Sequence, residues 1–119
     1  SPGYVITKAG GGEPMTGDGS KFGYTYRALA LHLKHKMAEP FILTVKPGDP
    51  EGEFSHGGEE FILMLRGSLE FTVGEDQLLL EAGDSLYFHA DITHKTKVLG
   101  EEAAEFLCIF IQNKLEGGY

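Results

Sequence analysis

At 119 residues the chain has room for one domain with one modest core, and 41% hydrophobic and 24% charged residues are ordinary for a globular protein. A formal charge of -8 argues against a direct grip on phosphate backbones, which clustered Lys and Arg must neutralise, and equally against an anionic membrane surface. No apolar run approaches the ~20 residues of a bilayer span, no secretory signal is visible, and no membrane partner is expected. Cys108 is the only cysteine, so no internal disulfide forms, and a cytoplasmic location is expected. The 17 glycines predict many tight turns, hence β-structure. The chain begins Ser1-Pro2-Gly3 rather than with Met, as a fragment or processed chain would.

In chain order, Tyr4 to Lys8 reads as a short edge strand, and Ala9 to Ser20, with five glycines and a proline, as a loop or flexible arm. From Tyr24 the pattern has period two, with Leu29, Leu31 and Leu33 on one face. Ala and Leu allow a helix there too, but strand is the reading adopted. Pro40 bounds a strand from Phe41 to Val45, closed by the turn Lys46-Pro-Gly-Asp-Pro50. A strand from Phe61 to Leu65 follows, then Gly67 as a hairpin turn into Ser68–Val73, where Leu69, Phe71 and Val73 face inward. Further strands are expected at 78–80, 85–89, 94–99 and 104–111, the last buried on both faces. Eight to ten short strands without a long helix predict an all-β fold, a small antiparallel barrel or double-sheet jelly roll. The expected organisation is an arm over 1–23, a barrel over 24–113 and a tail over 114–119.

The chemistry concentrates between Gly48 and Gly67. His56 and Glu60, four apart, fall on one face of an extended strand. That parity also holds Phe54, Ile62 and Met64, and on a later strand His94, Thr96 and Val98. His56, Glu60 and His94 therefore converge as two imidazoles and a carboxylate, a set that leaves positions open on Fe, Mn, Ni, Co or Zn. A polar cluster without metal is the alternative, but a lone buried Glu60 would be costly. Phe54, Ile62, Met64, Thr96 and Tyr26 are the expected pocket residues, although an apolar lining is also what a barrel core looks like. Tyr24, Tyr26 and Arg27 are candidates to clamp an acidic or polar ligand, or to serve as a dimer contact or plain sheet surface. Glu59 is expected at the solvent face, His89 at the surface near the pocket mouth, and His32 and His35 in solvent, with His35 able to reach the pocket. Cys108 reads as inert core. No catalytic residue is identifiable.

These residues resemble the cupin superfamily, whose first motif runs G-x5-H-x-H-x3-E-x6-G. Gly48, Phe54, His56, Glu60 and Gly67 reproduce its spacing. Gly83, His89, Asp91, His94 and Val98 stand at the positions of the second motif, G-x5-P-x-G-x2-H-x3-N. Phe54 replaces the first metal histidine, so the resemblance implies a three-ligand set of His56, Glu60 and His94. Some cupin enzymes, such as hydroxypropylphosphonate epoxidase, are similar in this set and use iron. A narrower resemblance, carried by Tyr24-x-Tyr26-Arg-Ala-Leu-Ala30, Met37-Ala-Glu-Pro-Phe41, Phe54-Ser-His-x-Gly-Glu-Glu-Phe61 and Gly83-Asp-Ser-Leu-Tyr-Phe88, is to the C-terminal cupin half of helix-turn-helix regulators. It implies a small-molecule sensor that meets DNA only through a helix-turn-helix domain absent from this chain. A homodimer is expected from the resemblance, and pairing would protect barrel edges. The alternatives are a stand-alone metal-dependent dioxygenase, lyase or isomerase and, more weakly, a structural barrel without ligand. Sensing is preferred to catalysis.

Overall fold

The computed structural model describes residues 2–112, and the expected tail over 114–119 lies outside them. The described residues form nine strands and one 3-10 turn. The strands are β1 (Glu13–Met15), β2 (Thr25–Ala28), β3 (Ala38–Val45), β4 (Glu59–Arg66) and β5 (Ser68–Val73), then β6 (Asp76–Glu81), β7 (Ser85–His89), β8 (His94–Leu99) and β9 (Ala104–Ile111); the 3-10 turn is Ser20–Phe22. A six-stranded sheet runs β1-β2-β3-β9-β4-β7, and a three-stranded sheet runs β6-β5-β8. All pairings are antiparallel. This is the all-β jelly-roll barrel that the alternation predicts.

Side chains alternate across each strand, and the inward set makes the core. Ile62 and Met64 on β4, Leu69 and Phe71 on β5, and Phe106 and Cys108 on β9 are the largest side chains fully removed from solvent. Burying each apolar side chain of this size contributes about 1.5–3 kcal/mol. Strand β9 joins β3 to β4 along nearly its whole length, Ala104 to Ile111 against β3 and Glu105 to Ile111 against β4. Residues far apart in sequence thereby become neighbours inside the barrel. Among the described residues, no helix is long and apolar enough to cross a membrane.

Several local expectations are corrected. Residues 4–8 form no strand, whereas Glu13–Met15, expected as loop, pairs with β2 as the exposed edge of the large sheet. Strand β2 stops at Ala28, and residues 29–37 form bends and turns, with Leu31 exposed. Pro40 lies inside β3 rather than at its boundary. Gly67 does not close a hairpin, because β4 pairs with β7 and β9 while β5 pairs with β6 and β8. Instead the chain turns a corner there from the large sheet to the small one. Gly67 has φ 76°, and a Cβ on it would stand 2.6 Å from the Ala103 carbonyl oxygen, so both conformation and space require glycine.

Candidate metal centre and cavity

The site is assembled from both sheets and one loop. Glu60 is the second residue of β4 and points inward, 4% exposed. His94 opens β8 in the small sheet and is equally buried. His56 lies not on a strand but in the loop before β4, so the shared strand face expected for it and Glu60 is corrected. Gly58, at φ 85°, bends the chain between them in the left-handed region that favours glycine.

That loop is stitched to the segment between β7 and β8. Phe54 and His94 exchange two backbone hydrogen bonds at 2.9 Å. The His56 amide donates to Ala90 O, the Ala90 amide to Gly58 O, and the Ser55 hydroxyl to Asp91 O. Two stretches some forty residues apart thus form one frame around the donors.

His56 Nε2 lies 2.7 Å from Glu60 Oε1, and His94 Nε2 lies 3.4 Å from the same oxygen. All three residues offer donor atoms within 4.8 Å of one another. The ring nitrogens facing away are occupied by backbone. His94 Nδ1 meets Ile92 O at 2.7 Å, and His56 Nδ1 meets Gly57 O at 3.1 Å. A carbonyl only accepts, so each Nδ1 carries the proton, and Nε2 is the nitrogen turned towards the carboxylate. Backbone carbonyls fixing the far nitrogen are the usual outer support of a metal-binding imidazole.

The electrostatics agree. Burial works to raise the Glu60 carboxyl, but hydrogen bonds from His56 and His94, and their charge, outweigh it and hold the group below its ordinary range. Its hydrogen bond to Glu60 lifts the His56 imidazole above its usual value, against burial and with help from Gly57 O. Without metal, then, both shifts favour an ionised Glu60 against a protonated His56. A divalent ion would take the place of that Nε2 proton, and the donor set fits one.

Beside the donors opens a cavity of about 380 Å³. Its wall is largely aromatic, with Tyr24, Tyr26, Phe41, Phe54, Phe71 and Phe110 contributing. Of the expected pocket residues, Phe54, Ile62, Thr96 and Tyr26 line it. Met64 does not; it is buried in the core two residues beyond Ile62. The Phe54 ring lies 6.1 Å from the His94 ring and 5.8 Å from Tyr24, so a phenyl group stands beside the donors where the family motif has a histidine. Tyr24 and Tyr26 are buried rather than surface clamps. Tyr24 OH meets Thr96 Oγ1 at 2.5 Å, and Tyr26 OH accepts from the Gly19 amide. Burial raises both phenols, Tyr26 to about 12, so both stay neutral. Arg27 does not join them; it donates to Gly11 O.

The remaining histidines lie elsewhere. His32 is exposed and pairs with Glu13, His35 sits exposed at φ 59°, and His89 pairs at the surface with Glu59. Sequence reasoning missed Cys108. Its Sγ lines the cavity and donates to Glu60 Oε2 at 3.6 Å, so the second carboxylate oxygen is held while the first faces the histidines. Burial, and then the Glu60 charge, push this thiol well up, so it is a neutral donor rather than a thiolate. Only the pairing of β4 with β9 brings the two together. Thr16, Asp18 and Glu39 at the cavity rim were missed as well.

The sequence profile described as Cupin domain matches residues 41–110. The chain belongs to the cupin family. Among solved structures it is similar to Fe(II) HppE, with TM-score 0.76 and 20% identity over 93% of this chain and 62% of that one. Similar figures hold for hydroxypropylphosphonic acid epoxidase from S. wedmorenis in complex with fosfomycin: TM-score 0.75, 19% identity, 93% and 61% coverage. An HTH_3 family transcriptional regulator from Vibrio cholerae matches with TM-score 0.64 and 22% identity, over 74% of this chain and 50% of that one. The chain therefore spans about three fifths of the HppE and epoxidase structures and half of the regulator. At these identities the likeness shows the fold. No curated protein matches the sequence.

Proposed function

We propose that this barrel binds a small molecule beside a divalent metal held by His56, Glu60 and His94, and that it does so as the sensing domain of a transcription regulator. The observation that carries the reading is the pairing of an open three-donor cluster with an aromatic cavity. Such a cavity is near the lower end of the 300–1,000 Å³ usual for small-molecule sites. Phe54 puts an apolar ring beside the three donors where the family motif supplies a fourth, and so adds to the wall against which a bound molecule would lie. The V. cholerae regulator supplies the precedent of a regulator that shares this fold. DNA would be met through a helix-turn-helix domain outside this sequence, the active form would be a homodimer, and a single cysteine accords with a cytoplasmic setting.

A second reading, a metal-dependent enzyme, is favoured by the likeness to Fe(II) HppE over 93% of the chain. A bound divalent ion would supply Lewis acidity or redox chemistry at its open positions. This chain's own residues would then hold the ion and exclude water with the aromatic wall.

Elemental analysis of protein purified without chelator, repeated on His94→Ala, tests the metal centre. Stoichiometric metal in the parent and its loss in the variant are expected; metal-free protein in both cases removes the site. Tight metal without turnover of candidate hydroxy or phosphonic acids favours sensing, and turnover that depends on metal favours the enzyme.

A further inference from the structure

The polar groups of the cavity wall divide into those already engaged and those with a hydrogen to spare. Glu60 spends Oε1 on His56 and His94 and Oε2 on the Cys108 thiol. Glu39 is paired with Lys36 at 3.3 Å. Asp18 is exposed at the rim, where it borders both the cavity and the adjoining cleft that holds Lys21. The hydroxyls differ. Tyr24 OH and Thr96 Oγ1 share one hydrogen bond at 2.5 Å, and whichever donates, the other keeps an O–H with no protein acceptor among the described residues. Tyr26 OH accepts from the Gly19 amide at 2.7 Å, and its own hydrogen likewise meets no protein acceptor among them. All three side chains line the cavity, and Tyr24, Tyr26 and Thr96 are only 5%, 7% and 6% exposed.

Two buried O–H donors are therefore unspent on this wall. A molecule that displaces water from the cavity must bring them acceptors or leave them bare, which costs about tenfold in affinity for each. Thr96 follows His94 by two positions on β8 and shares its inward face, so the Tyr24–Thr96 pair stands beside the donor cluster. An open position on a divalent ion also takes an oxygen, so ion and hydroxyls call for the same group. The wall beyond is apolar, with Phe41, Leu43, Phe54 and Phe110.

We infer that the cavity takes a small molecule whose polar end is an oxygen acceptor without hydrogen, a carboxylate or a ketone, received by the Tyr24–Thr96 hydroxyl pair and the Tyr26 hydroxyl. Its apolar body lies against Phe41, Phe54 and Phe110. This rests on the reading that the barrel binds a small molecule.

The test uses three probes with one phenyl body: 3-phenylpropionate, 4-phenyl-2-butanone and 3-phenylpropylamine. Each is titrated calorimetrically into chelator-treated and zinc-loaded protein at neutral pH. The carboxylate and the ketone are each expected to bind about tenfold more tightly than the amine, which brings only donors. Zinc should widen the lead of the carboxylate over the ketone. The double variant Tyr24→Phe/Thr96→Val replaces both members of a hydrogen bond by apolar groups of similar shape, a change close to neutral for folding. It should weaken the carboxylate and the ketone about fivefold and leave the amine where it was. Tyr26→Phe should act in the same direction. An amine that matches or outranks the two acceptors overturns the inference, and so do acceptor affinities that neither hydroxyl variant changes. Failure of all three probes at roughly millimolar concentration removes the small-molecule reading and the inference with it, whereas binding in the wrong order removes the inference alone. Zinc uptake is read in a separate titration, and its absence with the acceptor ranking intact would sink only the metal centre.

Discussion

Adjacent glutamates on β4 carry the same chemistry to opposite faces of one strand. Glu60 turns inward, 4% exposed, with two imidazoles on one oxygen and a thiol on the other. Glu59 turns outward, its Oε2 lying 3.3 Å from His89 Nδ1 and its Oε1 accepting from Tyr87 OH at 2.6 Å. Both are glutamates bound to histidine, yet only one defines a site. At Glu59 water competes for every partner and screens the charge, so the contact is worth little. At Glu60, only 4% exposed, bulk solvent does not readily replace a lost partner, so each missing partner costs part of the desolvation of what remains. The pleat alone, by sending consecutive residues to opposite faces, makes the difference.

The widest gap between the two glutamates is expected on truncation. Glu60→Ala should abolish metal uptake and lower the stability of the metal-free barrel by about 3 kcal/mol, because His94 and Cys108 lose their buried acceptor. Urea denaturation with chelator present measures the second effect and elemental analysis the first. A variant that unfolds like the parent would mean that burial adds nothing to this pair.

Phe54→His addresses the inner face from the other side. The phenyl ring lies beside His94 and is clipped to it through backbone, so an imidazole placed there approaches the donors. Metal affinity is expected to rise by about tenfold through a fourth ligand. Unchanged affinity in a competition titration would show that the position is turned away from the ion, and that Phe54 serves the cavity alone.

pH separates the metal-free and metal-loaded forms. Glu60 lies below its ordinary 4.5, so its contribution to stability is present above that pH and fades as pH falls through the lowered value. His56 lies above its ordinary 6.5, so its contribution is present below that pH and fades as pH rises through the raised value. Both contributions are at full strength between 4.5 and 6.5 and fade outside it, as pH passes the lowered Glu60 value or the raised His56 value. Thermal melts with chelator should therefore show this pair's contribution largest in that mildly acidic window. Metal affinity should run the other way and climb with pH, since the ion displaces the His56 proton. A metal-free Tm that keeps rising into the basic range would contradict an imidazolium–carboxylate pair.

The inner face was legible in sequence where alternation is strong. In β5, Leu69 and Phe71 face in and Ser68 and Glu70 out, because a half-buried strand has no other way to hide its apolar side chains. Parity also brought His56, Glu60 and His94 together on paper, although the structure places His56 in a loop and reaches the contact through Gly58 and the frame around Ala90. Period-two counting cannot see such a bend. Nor could it see Cys108 against Glu60, a contact across 48 positions that depends on which strands become neighbours. Gly67 misled for the same reason, since a glycine between two strands looks alike whether they pair or part into different sheets. The leucines at 29, 31 and 33 alternate without a partner strand, and turns won there.

The smallest effect belongs to the outer glutamate. Glu59→Gln keeps the shape and the hydrogen bond from Tyr87 while removing the charge that faces His89, whose side chain is 72% exposed. Exposed ion pairs contribute roughly 0–1 kcal/mol, so stability should change by no more than about 1 kcal/mol, and metal binding should stay at the parent level. The residue is one step along the chain from Glu60, so the substitution controls for everything except direction. A large loss of metal from Glu59→Gln would mean that the outer network of Tyr87 and His89 sets the position of β4 and so of Glu60 itself. The contrast would then rest on strand placement rather than on burial.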